Sequence, residues 1–529
     1  MSKVKVLDCT LRDGGYVNNW EFGKDNIKKI VSKLLEANID IIECGFLTQK
    51  IEYNEHCSKY DNVQRIEEFL PKERHKQEIV CMINYGEYNL DNIPECNDTP
   101  IDGLRIAFHK KDLKEALEFC KGISQKGYKL YVQPMVSLSY TDIEFLDLIK
   151  TVNEIQPYAF YIVDSFGIMK RNDLMRLYYL TDHNLKEDIC IGYHSHNNIQ
   201  LAFSNAQALV DLKTKRKLII DSSVFGMGRG AGNLNTELFI EYLNDNNGGI
   251  YKSKPLLQII DQVLNNIYLS KYWGYSLPHY ISAKHNCHPN YASYLADKNT
   301  LTVEDISNIL SKIDENKKNN FDKVYIENLY CTYQAHKTTN YSMIDELIDI
   351  FKDKTVIAIA PGSSINVETD KIIKEASMPD TIVVSVNFKP EKLKYDYVFV
   401  SNLRRYHELK DKSKTKLIVT SNIEVDNNVN YVISYVDLLN DVESVRDNAG
   451  LMLIKLLIKL GVKSIKLAGY DGYSYDAFTN YVEKDMAYVK KNMVVDALNA
   501  GMRKMLAQFS KQVKIDFITK TKYINMEEG

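Results

Sequence analysis

Val4-Lys5-Val6-Leu7-Asp8-Cys9-Thr10-Leu11-Arg12-Asp13-Gly14-Gly15 opens the chain as a short apolar strand running into a charged, glycine-rich turn. An arginine and an aspartate at the mouth of a sheet are costly to bury unless something uses them. The competing reading of these residues alone is a surface ion pair on an ordinary turn. What decides is whether chemically matching residues stand at the ends of other strands.

Working outward, apolar or β-branched runs recur at 39–46, 79–83, 103–108, 129–135, 159–164, 189–194 and 218–224. Between them Ile27, Ile30-Val31 and Leu34-Leu35 repeat at the spacing of an amphipathic helix, as do Leu113, Ala116-Leu117 and Cys120. With 4–7 that makes eight strand candidates joined by helices, the count and size of an α/β (β/α)8 TIM barrel. An open doubly wound sheet is the rival, because a strand count does not close a barrel. Barrel chemistry sits at the carboxyl ends of strands. The polar residues gather there: Arg12 and Asp13 after the first run, Glu43 in the second, Arg105 in the fourth, Gln133 in the fifth, and Asp164-Ser165 after the sixth. His194-Ser195-His196-Asn197 follows the seventh, and the eighth leads into Gly226-Met227-Gly228-Arg229-Gly230-Ala231-Gly232-Asn233.

His194 and His196 are two residues apart on a strand end, so both imidazoles face the same side and reach one ion. With the Asp13 carboxylate they form a mixed nitrogen and oxygen set with open positions for a chelating substrate. Such a set suits octahedral Mn²⁺ or Mg²⁺, with Zn²⁺ less favoured for want of a thiolate.

Composition limits the rest. At 529 residues the chain calls for two or more domains, and 45% apolar with 26% charged residues is ordinary for a globular protein. A net charge of −3 carries no polybasic signal for nucleic acid or an anionic membrane. No apolar run approaches the roughly 18 residues of a membrane span, and Met1-Ser2-Lys3-Val4 enters a strand without a signal-peptide core. A cytoplasmic chain is expected. Its nine cysteines, an odd number, agree with free thiols: Cys9, Cys44, Cys81 and Cys190 sit in or beside apolar runs.

Asp8-x-Thr10-Leu11-Arg12-Asp13-Gly14, Ile42-Glu43-Cys44-Gly45-Phe46, His194-x-His196-Asn197 and Gly230-x-Gly232-Asn233 together resemble the DRE-TIM metallolyase superfamily. That group includes the 4-hydroxy-2-oxovalerate aldolases, HMG-CoA lyase and isopropylmalate synthase. The resemblance runs from residue 1 to about 240. It implies Asp13, His194 and His196 as metal ligands with Asn233 as a fourth, Arg12 steadying an enolate oxygen, and Glu43 orienting Arg12. Ser165 stands where the aldolases hold the pyruvate carboxylate. Arg105, Gln133 and Arg229 are the further substrate-binding candidates. Two departures stand out. Where the oxovalerate aldolases place a basic histidine, this chain has Tyr16, whose ordinary pKa of about 10 makes a poorer base at neutral pH. Where the lyases carry a cysteine between glycines, this chain has Arg229, which argues against HMG-CoA lyase itself and for a more anionic substrate.

Residues 1–250 are thus expected to form a metal-dependent aldolase or lyase barrel and 251–350 a helical extension. Within the extension His285, Cys287 and His288 are metal-ligand types without a second pair nearby. His288 or Tyr291 is placed to reach the barrel mouth. From 351 to 529 the alternation restarts, with runs at 355–360, 381–386, 397–400, 416–420, 431–434, 464–468 and 514–518, each ending in small polar residues. They predict a second, Rossmann-like α/β domain with a crevice at the carboxyl ends of its strands. Pro361-Gly362-Ser363-Ser364 is its candidate phosphate turn, through the backbone N–H groups of Gly362, Ser363 and Ser364; an ordinary βα turn is the competing reading. Ala-Pro-Gly-Ser-Ser, Val-Asn-Phe and Ala-Gly-Tyr-Asp-Gly resemble Rossmann-like sialyltransferase-type surface-polysaccharide proteins, which implies a nucleotide or nucleotide-sugar ligand.

The function expected is a metal-dependent, class II type aldolase or lyase that makes or cleaves a 4-hydroxy-2-oxo acid through a pyruvate enolate. Its partners are a small 2-oxo acid and an aldehyde, in a homo-oligomer. The alternatives are an acyl-CoA-dependent Claisen condensing enzyme and an inactive barrel acting as scaffold or ligand sensor.

Overall fold

The computed structural model describes residues 4–72, 76–212, 214–247, 250–335, 344–425, 430–483, 486–487, 490 and 492–523. Two compact units divide the chain: Met1–Ala292 with Asp314–Phe321, and Ser293–Ile313 with Asp322–Gly529. Among the described residues no helix is long and apolar enough to cross a membrane.

The first unit is built from β1 (Val4–Asp8), β2 (Ile41–Leu47), β3 (Lys59–Tyr60), β4 (Glu78–Asn84), β5 (Gly103–Phe108), β6 (Lys129–Pro134), β7 (Ala159–Asp164), β8 (Cys190–Ser195) and β9 (Leu218–Ser222). The order β1-β9-β8-β7-β6-β5-β4-β2 returns to its start because β1 also pairs with β2, Leu7 opposite Ile41. Closure disposes of the open-sheet rival in this half of the chain. The two-residue β3 pairs onto β2 outside the ring.

Period-two alternation then sorts the side chains. Leu7, Ile41, Val80, Tyr131, Tyr161 and Ile219 point inward and fill the barrel. Val6, Ile42, Leu104, Val132, Ile162 and Ile220 point outward into a second core shared with the helices. The helix Lys24–Glu36 shows the match: it buries Ile27, Ile30, Val31, Leu34 and Leu35, the stripe its sequence spacing predicts. Asp142–Ile155 begins at a capping box in which Thr141 and Glu144 satisfy each other's backbone N–H groups.

The stretch after the barrel is helical, from Ser253–Ile259 to Ile344–Phe351, and its helices are shared between the two units; residues 336–343 lie outside the described ones. The second unit holds β10 (Thr355–Ile359), β11 (Thr381–Val386), β12 (Tyr397–Val400), β13 (Leu417–Thr420), β14 (Tyr431–Ile433), β15 (Ser464–Ala468) and β16 (Lys514–Phe517). They form one open parallel sheet in the order β14-β13-β12-β11-β10-β15-β16, the second α/β domain expected. At the turn after β10, however, Ser364 and Ser363 already have an acidic partner. The Asp471 carboxylate accepts from the Ser364 N–H at 2.7 Å, from the Ser364 hydroxyl, and from Ser363 Oγ at 3.4 Å. The helix behind it, Ser364–Val367, is a single turn. Ser363 and Ser364 therefore hold a carboxylate of the chain itself where a phosphate was expected, with the Ser364 N–H as the backbone donor.

Candidate metal centre

Asp13, His194 and His196 come together at the carboxyl-terminal face of the barrel. Each is buried, and each offers a ligand atom within 4.8 Å of the others. They are the one such group of three or more His, Cys, Asp or Glu side chains found among the described residues.

Each side chain is held from behind. His194 Nδ1 lies 3.0 Å from Asp221 Oδ2, which fixes the ring and turns Nε2 toward the cluster. His196 is fixed through its backbone, its N–H donating to Asp164 O at 3.2 Å, and its Nδ1 stands 3.8 Å from Asp13 Oδ2. Asp13 Oδ1 accepts from Arg12 Nη1 at 2.5 Å and Oδ2 from Asn233 Nδ2 at 2.8 Å. On the side chains of Asp13, His194, His196 and Asn233, two buried atoms are left without a hydrogen-bond partner among the described residues, His196 Nδ1 and Asn233 Oδ1. A nitrogen and an oxygen lone pair stranded beside a carboxylate and a second imidazole are costly unless an ion takes them up. The donor set therefore fits a divalent metal.

The electrostatics agree. Burial works to raise the Asp13 carboxyl, but His196, Arg12, His194 and Arg229 outweigh it and hold it well below the carboxylate range. Burial pulls His196 down to about 3, against Asp13 and with help from Arg229, so the imidazole is neutral and its lone pair available at neutral pH.

Arg12 is locked into a fork: Nε donates to Glu43 Oε2 at 2.8 Å and Nη1 to Asp13, while Nη2 has no partner among the described residues. Glu43 thus touches Arg12, as expected, and it also pairs with Arg105 Nη1 at 2.8 Å. Arg105 and Gln133 were expected at the substrate. Instead Arg105 is 0% exposed, its guanidinium directed at Glu43 and Asp221, and Gln133, with its amide oxygen turned to Arg105, accepts from Nε at 2.7 Å. Both act inside the barrel, on the carboxylates that hold Arg12 and His194.

The glycine-rich loop closes the other side. Gly232 accepts from Asn197 N at 2.8 Å, Ala231 donates to Asn198 Oδ1 at 2.8 Å, and a β-bridge joins His196 to Asn233. Gly228 lies so close that a Cβ there would stand 2.4 Å from Asn233 Nδ2 and 2.7 Å from Asp13 Oδ2. Arg229 reaches across, Nη2 donating to Ser165 O at 3.0 Å, with its guanidinium carbon 5.6 Å from the centre of the Tyr16 ring. Ser165 Oγ accepts from Val136 N at 2.9 Å, and Val136 is held at φ +54°, a strained setting for a β-branched residue. Tyr16 packs edge-on against Trp20 and Phe46 and keeps 39% of its surface exposed.

From the segment after the barrel, His288 lies in the field of Arg229, His196 and His109, which after burial lower it to about 3, and its Nδ1 accepts from Asn290 N at 3.2 Å. Tyr291 turns away, its hydroxyl donating to Lys317 O and Asn320 O at 2.9 and 2.7 Å. Cys287 is buried against Ser282 O, and the trio with His285 and His288 does not gather around a common point among the described residues. Sequence reasoning missed Asp221. Its one signal was a carboxylate inside an apolar strand, two residues from inward-facing Ile219.

Comparison with known proteins follows the same outline. Residues 3–265 match the HMGL-like family model. A 4-hydroxy-2-oxovalerate aldolase of Geobacillus genomosp. 3 is 27% identical over 262 residues, 49% of this chain and 75% of the relative. An oxaloacetate decarboxylase of Mycobacterium tuberculosis is 24% identical over 241 residues, covering 45% and 69% respectively. Among solved structures, the HMG-CoA lyase of Bacillus subtilis overlays with a TM-score of 0.42 at 14% identity, covering 50% of this chain and 94% of that one. The match over the whole barrel, with Arg12-Asp13 and His194-x-His196 at its carboxyl-terminal face, shows that this chain belongs, through residues 3–265, to the HMGL-like (DRE-TIM) family.

Proposed function

We propose that the barrel is a divalent-metal-dependent carbon–carbon lyase or aldolase acting on a 2-oxo acid, with Asp13, His194, His196 and the Asn233 amide oxygen as ligands and Mn²⁺ or Mg²⁺ as the ion. The observation that carries this reading is the Arg12 fork: two donors tied to Glu43 and Asp13, and Nη2 left over beside the ligand cluster. A divalent ion there supplies Lewis acidity toward the carboxylate and ketone oxygens of the substrate.

The chain's own residues supply the rest. Arg12 Nη2 donates to the ketone oxygen as it gains negative charge, already oriented by Glu43 and Asp13. Asp221 and Arg105 keep the His194 ring from turning, and Glu43 does the same for Arg12. Tyr16, with its phenol held protonated at neutral pH, takes the acid's part and delivers a proton to the carbanion carbon. Arg229, between Ser165 and the Tyr16 ring, favours a substrate carboxylate. Cleavage of a 4-hydroxy-2-oxo acid and decarboxylation of oxaloacetate both pass through the enolate of pyruvate. The names of the two relatives therefore point to one shared half-reaction.

That half-reaction is the test. Pyruvate in D₂O with Mn²⁺ and the protein should lose its methyl proton signal, and EDTA or His194→Ala should abolish the loss. Exchange that persists in the His194→Ala protein refutes the proposal. Exchange at acetyl-CoA in place of pyruvate points to the Claisen reaction.

A further inference from the structure

The chain has two tryptophans, and the indole N–H of each donates to a main-chain carbonyl beside the candidate metal centre. Trp20 Nε1 donates to Arg12 O at 2.7 Å, behind the turn that carries Asp13. Trp273 Nε1 donates to Phe225 O at 3.0 Å, at the base of the glycine-rich loop that carries Arg229 and Asn233. Trp20 stands within the barrel sequence. Trp273 stands beyond residues 3–265, the span of the family match, so this loop is secured from outside the matched barrel.

The loop needs securing at that point. Phe225 is held at φ +59°, a left-handed setting that costs a bulky residue energy and persists where the surroundings over-determine it. Both main-chain polar groups of Phe225 are taken: its N–H donates to Glu237 Oε2 at 2.9 Å, and its carbonyl accepts from Trp273. Its ring is boxed by Tyr268 and Trp273, with ring centroids 5.2 and 5.6 Å away. Trp273 is itself buried, so its N–H must find an acceptor inside the protein. A tryptophan that only fills space explains the ring packing. It does not explain an N–H spent on the strained residue of this loop.

From Phe225 the constraint reaches the metal side in one step. The next carbonyl, Gly226 O, accepts from Asn233 N at 3.0 Å and ties the two legs of the loop together. The legs pass so close that a Cβ on Gly232 would stand 2.0 Å from Gly226 O and 3.5 Å from Trp273 Cδ1. Asn233 in turn bridges to His196 and donates to Asp13 Oδ2 at 2.8 Å. A shift at Phe225 therefore carries Asn233 away from both.

We propose that Trp273 is the clamp of the glycine-rich loop, a positioning residue through which the segment after the barrel sets the placement of Asn233 and Arg229. Its consequence for metal affinity rests on the metal reading given above; the clamp itself does not.

The test uses the full chain and Trp273→Phe, which keeps an aromatic ring and removes the N–H. In EDTA, hydrogen exchange of peptides over residues 222–236 should run at least about fivefold faster than in wild type, while peptides over 103–164 exchange at the wild-type rate. Mn²⁺ titration of the same protein should show affinity lower by about three- to tenfold, the size of one lost hydrogen bond. Trp273→Ala, which removes the ring as well, should go further in both measurements. Wild-type exchange at 222–236 overturns the proposal, as does faster exchange spread evenly over the barrel. So does wild-type Mn²⁺ affinity in a Trp273→Phe protein whose loop exchanges faster. A wild-type protein that binds no Mn²⁺ defeats the metal reading, and the exchange measurement then decides the clamp alone. Should Trp273→Ala not fold, Trp273→Phe decides.

Discussion

Asp221→Asn perturbs the candidate centre while leaving every proposed ligand in place. In the native protein Asp221 Oδ2 faces both His194 Nδ1, at 3.0 Å, and Arg105 Nη2, and Oδ1 accepts from Tyr161 OH at 3.0 Å. The amide keeps the shape but loses the charge, and its NH₂ must face one of these donors. Removing one partner of a buried ion pair costs about 3–5 kcal/mol. Arg105 retains Glu43 at 2.8 Å, so the expected loss of folding stability lies at the lower end, about 3 kcal/mol. Independently, an imidazole stripped of its carboxylate partner loses roughly 10–100-fold in metal affinity, about 1.4–2.8 kcal/mol. The first quantity is read from urea unfolding in EDTA, the second from Mn²⁺ titration. The pH dependence has a defined sign. Burial raises the Asp221 carboxyl, but Arg105 and His194 outweigh it and leave it lowered. A carboxylate lowered in the folded state contributes stability above its unfolded pKa of about 3.9 and loses it as pH falls further. The stability gap between wild type and variant should therefore be full at pH 7 and shrink below about pH 4. Mn²⁺ affinity within about twofold of wild type, or a gap that widens on acidification, refutes the role given to Asp221.

Three other outcomes follow from the same geometry. Gly228→Ala places a methyl 2.4 Å from Asn233 Nδ2 and 2.7 Å from Asp13 Oδ2, so Mn²⁺ titration should show at least a tenfold loss of affinity, about 1.4 kcal/mol, in a protein with native circular dichroism. Arg12→Lys cannot hold Glu43 and Asp13 and still present a third donor; the rate of pyruvate proton exchange should fall by roughly 10²–10³-fold, read from kcat at saturating pyruvate. Asp8 runs opposite to Asp221: burial, against hydrogen bonds from Thr236 and Thr10, raises it to about 6. A raised carboxyl stabilises below about pH 3.9 and loses that contribution through its folded value, so between pH 4 and pH 8 wild type should lose on the order of 3 kcal/mol relative to Asp8→Asn in urea titrations.

How much of this was legible depends on how far apart in the chain the interacting groups stand. Asp13, His194 and His196 could be read because each marks its own strand end, and the i, i+2 spacing of the histidines already places both rings on one side. The strands of both sheets could be read for the same local reason, an apolar run closed by small or polar residues. Asp221 could not. Its meaning lies in Arg105, 116 residues away across the barrel, and no local pattern states that a carboxylate in Leu218-Ile219-Ile220-Asp221-Ser222 meets a guanidinium rather than water. Arg105 and Gln133 were misplaced by the mirror of that problem. A polar residue on a barrel strand reads as substrate-facing until register sets its height, and β5 places Arg105 level with Met82 and Tyr131, within the packed interior. The phosphate turn of the second sheet carries the same lesson into function. The backbone N–H of Ser364 looks identical in sequence whether its anion is a ligand or Asp471, 107 residues on, and only the fold brings that carboxylate into place. Once it is there, an incoming phosphate meets a negative charge at Ser364.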